Sequence, residues 1–226
     1  MSENVLQNTV DNNNVADLIE NAHSIAVVPS KVAGANAFSA AVGLYYMLLD
    51  KQKHVIFIHT GKIPDECEGL ITREEIDSTV SQRDLEVLID YSNTPAAKVS
   101  YSTENEVLHL VVSPVSKNFD LSRVKAKISG FEFDLIFIVG AQVIEDLGQT
   151  YTELRTEFAN AKIVNLDNTS KNQKYGNINI IDVDADSLSS LIFKKAAEWR
   201  LLPGKKTAKS LLVGMTYKEA RVDSNK

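Results

Sequence analysis

The sequence has little cysteine, no long apolar run and no excess of basic charge. Cys67 is the single cysteine among 226 residues, which excludes an internal disulfide and fits a reducing compartment. No stretch of 18 or more apolar residues occurs, and the N-terminus lacks a charged segment followed by an apolar one. The net charge of −6 excludes a protein that binds nucleic acid over its whole surface, but leaves a local basic patch open. We expect a soluble, cytoplasmic protein that does not enter membranes.

The composition is that of an ordinary globular protein, with 44% apolar and 24% charged residues. Residues 1–14 are rich in Asn, Asp and Gln, and we predict a flexible tail there. Residues 15–226 contain neither an internal repeat nor an obvious linker. We therefore predict one α/β domain over residues 15–226.

Short, continuous apolar runs alternate with helical patterns along this domain. Such runs indicate strands that are buried on both faces. The predicted fold is α/β, with a mostly parallel, doubly wound sheet and helices on both faces. We predict strands at 24–29, 54–59, 85–90, 98–102, 107–112, 135–139, 162–166 and 177–181, and helices at 15–23, 37–50, 121–128, 151–158, 185–201 and 205–214.

Ligands of such sheets bind at the carboxyl ends of the strands. The residues that follow the predicted strands lie at 29–36, 59–64, 140–142 and 167–169. These four segments are the candidate site.

The first of these segments resembles the first motif of the DHH phosphoesterases. The segment 33–40 follows a buried strand and opens a helix, and Gly34 matches a glycine of the motif. The motif also has a histidine and two aspartates. Pro29, Ala33 and Ala35 stand at those three positions in this chain.

Two further segments resemble the second and closing motifs of the same family. The second motif has a metal-binding aspartate where the segment 136–148 has Gly140. The closing motif resembles the segment 208–225, in which Lys218 falls about where the family has an aspartate.

The segment 166–179 resembles the Asp-His-His stretch that names the family. Asp167 matches its aspartate, whereas Asn168 and Thr169 replace both histidines. The resemblance runs from about residue 15 to the end, in the motif order of the family.

The resemblance implies the N-terminal domain of an enzyme similar to nanoRNases, oligoribonucleases and pAp phosphatases. Those enzymes hydrolyse phosphodiester or phosphoanhydride bonds with two manganese or magnesium ions, and they usually carry a second, substrate-binding domain. Nothing here resembles that domain. A single carboxylate at the matching positions cannot hold two divalent ions, which need several hard oxygen ligands. We therefore expect degenerate metal motifs, no metal or other cofactor, and no catalytic residue.

The former active-site positions could still bind an anion at a helix N-terminus. They could equally serve the structure, as tight packing at Gly34 and as turn or cap residues at Asn36 and Asp167. The candidate ligand-binding residues are Ser30, Lys31, Gly34, Asn36, Asp167, Asn168, Thr169 and Lys218.

The sequence thus favours a non-enzymatic binding or scaffold module with a protein partner, and leaves two alternatives. One is a nucleotide or short nucleic-acid binder that uses the former cleft, helped by a basic run over 194–209 that could also be a solvated helix face. The other is a phosphoesterase with a relocated site that uses His59 and Asp167. A homo-oligomer stays open.

Overall fold

The structure is a computed structural model that describes residues 15–78, 84–92, 98–113, 115, 117–129 and 132–217. The predicted tail over 1–14 and the candidate residue Lys218 lie outside these residues. The chain divides into two compact units, whereas the sequence analysis distinguishes only one domain. The main unit comprises Met1–Ser81 and Phe131–Lys226, and the inserted unit comprises Gln82–Gly130.

The described residues form ten strands and six α-helices. The strands are β1 (Ile25–Pro29), β2 (Val55–Ile58), β3 (Ile76–Asp77), β4 (Asp84–Ile89), β5 (Lys98–Glu104), β6 (Val107–Ser113), β7 (Val124–Ser129), β8 (Leu135–Val139), β9 (Lys162–Asp167) and β10 (Ile178–Ile181). The helices are α1 (15–21), α2 (Gly34–Asp50), α3 (Gln149–Glu153), α4 (Arg155–Asn160), α5 (Leu188–Ala196) and α6 (Lys205–Thr216).

The main unit is built on a six-stranded sheet in the order β10-β9-β8-β1-β2-β3. All neighbouring strands in this sheet are parallel. The central pair is β1 and β8. After β1 the chain continues to β2 on one side of this pair, and after β8 it continues to β9 on the other side. The strand order therefore reverses between β1 and β8, the point at which α/β sheets form a binding crevice.

The central strands are apolar on both faces because each face is covered by helices. In β1, Ile25 and Val27 belong to one buried cluster, while Ala26 and Val28 belong to the other. The first cluster includes apolar residues of α1, α2, α5 and α6, and the second includes residues of α3 and α4, such as Phe158. The predicted doubly wound α/β fold is thus confirmed.

No described helix is both long enough and apolar enough to span a membrane. The helices differ in detail from the prediction. The helix predicted at 151–158 is two short helices, α3 and α4, and the one predicted at 185–201 ends at Ala196.

The inserted unit contains two antiparallel strand pairs, β4 with β7 and β5 with β6. The helix predicted at 121–128 is wrong. Leu121–Arg123 form a single 3-10 turn, and β7 follows. Val124 and Ala126 alternate with Lys125, which is the period of two that a strand requires.

Candidate functional site

Beside Gly140, the crevice between β1 and β8 is filled by side chains of the protein itself. Gly140 follows β8 with a φ of +76°, and a Cβ atom there would lie 2.8 Å from Cβ of Ala37 and 2.7 Å from Cδ1 of Leu188. Cβ of Ala33 would be 3.1 Å away. On the other side, the Ser30 backbone N–H donates to the Val139 carbonyl oxygen at 2.8 Å. No space for a longer side chain remains at this position.

The carboxylate of Asp167, at the end of β9, accepts hydrogen bonds from nearby residues of the protein. The side chain is 3% exposed. One oxygen accepts a 2.8 Å hydrogen bond from Nδ2 of Asn172, and the other accepts a 2.8 Å bond from the Asn168 backbone N–H. Burial raises the pKa of Asp167 above its ordinary value, and these bonds oppose the rise only in part. Asn172 also donates to the Ala141 carbonyl oxygen at 2.8 Å, which joins β9 to the loop after β8.

The two residues after Asp167 form local structure. Asn168 donates through Nδ2 to the Ala185 carbonyl oxygen at 3.1 Å. Thr169 accepts a 3.3 Å bond from the Lys171 backbone N–H through its hydroxyl. Neither residue is among those that line the pocket next to Ser30 and Lys31.

Asn36 serves the start of a different helix. Its Oδ1 accepts a 3.0 Å hydrogen bond from the Leu188 backbone N–H, the first residue of α5. Together with Ser187, which accepts from the Ser190 backbone N–H at 3.1 Å, it satisfies two of the amide groups that a helix N-terminus leaves unpaired.

A pocket of about 250 Å³ opens beside the start of α2, at the carboxyl ends of β1 and β2. Gly34 begins α2 with a φ of +54°, and no side chain caps this helix. The free amide groups of such an end attract anions. The lining residues are Ser30, Lys31, Gly34, Phe38, His59, Gly61, Lys62 and Pro64.

His59 also lines a second pocket, of about 380 Å³. Arg73 and Ser78 are among the other residues that line this second pocket. The ring of His59 is buried, with Nε2 3.2 Å from the Lys62 carbonyl oxygen and no hydrogen-bond partner for Nδ1 among the described residues. Burial, together with the charge of Lys31, lowers the pKa of His59. The imidazole is therefore neutral at pH 7.

The structure thus divides the predicted residues into two groups. Ser30, Lys31 and Gly34 line one pocket. Asn36, Asp167, Asn168 and Thr169 have partners within the fold instead. Sequence reasoning missed Asn172, which holds Asp167, and Arg73 of the second pocket. Among the described residues, no three His, Cys, Asp or Glu side chains come together as a metal site would require.

The basic run over 194–209 is partly neutralised. Lys194 lies 3.8 Å from Asp182, and Lys206 lies 3.3 Å from Glu75. Lys195 lies 3.1 Å from Glu198, and Lys209 donates to a backbone carbonyl oxygen. These pairs favour the solvated-face interpretation over a surface for nucleic acid.

No known protein-family profile matches the chain, and no curated protein is similar to it in sequence. Among solved structures, the chain is similar to the crystal structure of an exopolyphosphatase-related protein from Bacteroides fragilis, with a TM-score of 0.59 and 15% sequence identity. The match covers 91% of this chain and 49% of that one, so this chain spans about half the length of that protein. At this identity the similarity shows the fold alone.

Proposed function

We propose that this chain is a DHH-type phosphoesterase domain that has become a binding module and does not hydrolyse phosphoesters. The observation that carries the proposal is the packing around Gly140. An aspartate at this position would need the space that Ala37 and Leu188 take. The order of the sequence motifs and the phosphoesterase-like fold support the relationship to the family.

A two-metal phosphoesterase clamps the attacking and leaving oxygens between its ions, and each ion needs several hard ligands. Asp167 is the one carboxylate that the matching positions supply, and both of its oxygens already accept hydrogen bonds. The side chains of Ala33 and Ala37 occupy the neighbouring space. The residues present therefore do not fit a manganese or magnesium pair.

The test is a hydrolysis assay with dinucleotides, pAp and inorganic polyphosphate in the presence of Mn²⁺ or Mg²⁺. We expect no turnover above a protein-free control, and no saturable heat of Mn²⁺ binding by calorimetry. Asp167→Asn provides the control, since it should behave like the wild type in both measurements. Turnover that Asp167→Asn abolishes would contradict the proposal and would support a relocated site at His59 and Asp167.

A second candidate function is the binding of a phosphate-bearing ligand in the pocket beside α2. Lys31 and Lys62 contribute two cations, and α2 contributes uncapped amide groups. His59 adds a buried nitrogen without a hydrogen-bond partner among the described residues. Lys62 is held 2.7 Å from Asp65, which leaves Lys31 as the cation whose removal tests the pocket best.

Thermal-shift measurements with inorganic phosphate, AMP and ATP test this second function. A ligand at about 100 times its dissociation constant stabilises a protein by about 2.7 kcal/mol. For a chain of this size, that corresponds to a rise in Tm of several degrees. Lys31→Ala should remove the rise, whereas Lys162→Ala should retain it. Lys162 is the first residue of β9 and so lies at the amino end of the parallel sheet, whereas the pocket lies at the carboxyl ends of the strands. Equal shifts in both variants would exclude this pocket.

A further inference from the structure

The hairpin β5–β6 of the inserted unit has one face that is free of charged side chains. Three cross-strand pairs form this face, and Tyr101 opposite Leu110 is the central pair. Tyr101 is 79% exposed, Leu108 65% and Val99 64%. We call this surface the hairpin face; its residues are Val99, Tyr101, Thr103, Leu108, Leu110 and Val112.

The other side of the same hairpin is largely polar. Lys98, Ser100, Ser102, Glu104 and His109 lie there, because side chains alternate between the two faces of a strand. Val107 and Val111 are the apolar residues on this side. Alternation of this kind is typical of an antiparallel sheet that buries one face and exposes the other to water. A two-stranded sheet is also marginally stable in water unless something packs on its apolar side. The hairpin face therefore has the chemistry of a buried surface.

We propose that the hairpin face binds the same face of a second copy of this chain around a two-fold axis. Charge favours this occupant. Gln82–Gly130 contains six Lys and Arg residues and six Asp and Glu residues, so the net charge of −6 belongs entirely to the rest of the chain. The inserted unit is thus the part through which two copies approach with the least net repulsion.

The geometry of the face suits self-association. In a two-fold interface the same patch contacts itself, so a patch without charges avoids like-charge contacts. The pair of Tyr101 and Leu110 lies at the centre of the patch, with the apolar pair Val99 and Val112 on one side and the uncharged pair Thr103 and Leu108 on the other. An exposed tyrosine at the centre of an interface is a common anchor, because its ring buries a large area with little loss of side-chain freedom.

The area of the face sets the strength of the association. Fully exposed side chains of these kinds present on the order of 100–200 Å² each, so the exposures of Val99, Tyr101, Leu108 and Leu110 leave roughly 400–500 Å² per copy. Two copies would bury about 800–1,000 Å², which is below the roughly 1,200 Å² at which stable specific interfaces begin and is typical of weak contacts. The dimer is therefore weak and depends on concentration.

The test is sedimentation equilibrium of the full chain over protein concentrations from about 1 µM to about 1 mM. We expect the mass to rise from that of a monomer toward that of a dimer. Leu110→Lys should weaken the association at least about tenfold, because it places two lysines at the centre of the interface. Val111→Lys should change it less than about twofold, because Val111 is similarly exposed on the opposite side of the hairpin.

Far-ultraviolet circular dichroism and the Tm of both variants establish that each remains folded. A monomeric mass at the highest concentration would overturn the proposal. So would equal weakening by the two substitutions, or a dimer that Leu110→Lys leaves intact, since each would place the contact elsewhere or make it nonspecific.

Discussion

Gly140 combines a left-handed backbone with close packing, and the two effects can be separated by experiment. An alanine at a position with φ near +60° costs about 1 kcal/mol. At Gly140 the new Cβ would also lie under 3 Å from Ala37 and Leu188. Gly69 has a similar φ of +72° but no atom within 4 Å of a Cβ, so it serves as the control. We expect Gly140→Ala to lower the free energy of unfolding by about 1–3 kcal/mol more than Gly69→Ala.

Urea unfolding of the wild type and the two variants measures this difference. Equal costs for the two substitutions would mean that the space beside Gly140 is open. The interpretation of the crevice as filled would then fail, and with it the main support for a non-hydrolytic domain.

The burial of Asp167 predicts how the stability of the protein depends on pH. The pKa of Asp167 is raised in the folded state by burial. Between the ordinary pKa of an aspartate, about 3.9, and the raised value, the folded state therefore binds more protons than the unfolded state. The free energy of unfolding contributed by this group falls as pH rises through that window, and is constant above it.

Asp167→Asn removes this titration. The difference in the free energy of unfolding between wild type and variant should therefore decrease as pH rises from about 4, and then reach a plateau. The variant also loses an acceptor for Asn172, which adds a pH-independent cost of about 1–3 kcal/mol. Urea unfolding at several pH values measures both parts. A difference that increases with pH would show that the pKa is lowered instead.

At the residue scale, the sequence predicted where a residue lies in a strand or helix better than it predicted which groups its side chain contacts. The sequence pattern places Asp167 at the end of a strand and Asn36 near the start of a helix, and in the structure Asp167 ends β9 and Asn36 lies in the first turn of α2. Their partners, Asn172 and the Leu188 backbone N–H, come from other segments of the chain. A hydrogen bond between residues 36 and 188 depends on how α2 and α5 pack together, which local patterns do not specify.

At the scale of elements, α5 depends on a cap from a distant residue. Oδ1 of Asn36 accepts the Leu188 backbone N–H at 3.0 Å. We expect Asn36→Ala to lower the free energy of unfolding by about 1 kcal/mol. Asn36→Asp should retain most of the stability, because a carboxylate also accepts this bond and its charge suits a helix N-terminus. Thermal or urea unfolding of both variants measures the effect, and equal losses would assign Asn36 a different role.

The elements that the sequence predicted best are the buried ones. β1 and β8 are continuous apolar runs that are too short for helices, and turn residues bound them. The strand β7 was predicted as a helix because Val124–Ser129 is short and contains lysines and an alanine, which are common in helices. Its pairing with β4, a partner about 40 residues earlier in the chain, overrides that local preference.

At the scale of the whole molecule, the two units differ in how their apolar surface is covered. The apolar residues of β1 and β8 are buried beneath helices. Val99, Tyr101 and Leu108 of the inserted unit are more than half exposed. The sequence shows continuous apolar runs in β1 and β8 and alternation in β5, but it does not reveal which apolar faces remain uncovered. The sequence therefore predicted β4, β5 and β6 as strands but did not distinguish the inserted unit from the main one.

This difference predicts two levels of protection from hydrogen exchange. Backbone amides of β1, β8 and β9 should exchange only through global unfolding, because both faces of these strands are covered. Amides of β5 and β6 should exchange through local opening, at least about a thousandfold faster in dilute protein. Mass spectrometry of exchange followed by peptic digestion measures both. If the hairpin faces pair, protection of β5 and β6 should rise with protein concentration in Val111→Lys and stay low in Leu110→Lys. Protection of β5 and β6 equal to that of β8 in dilute protein would mean that the hairpin is already covered within one chain.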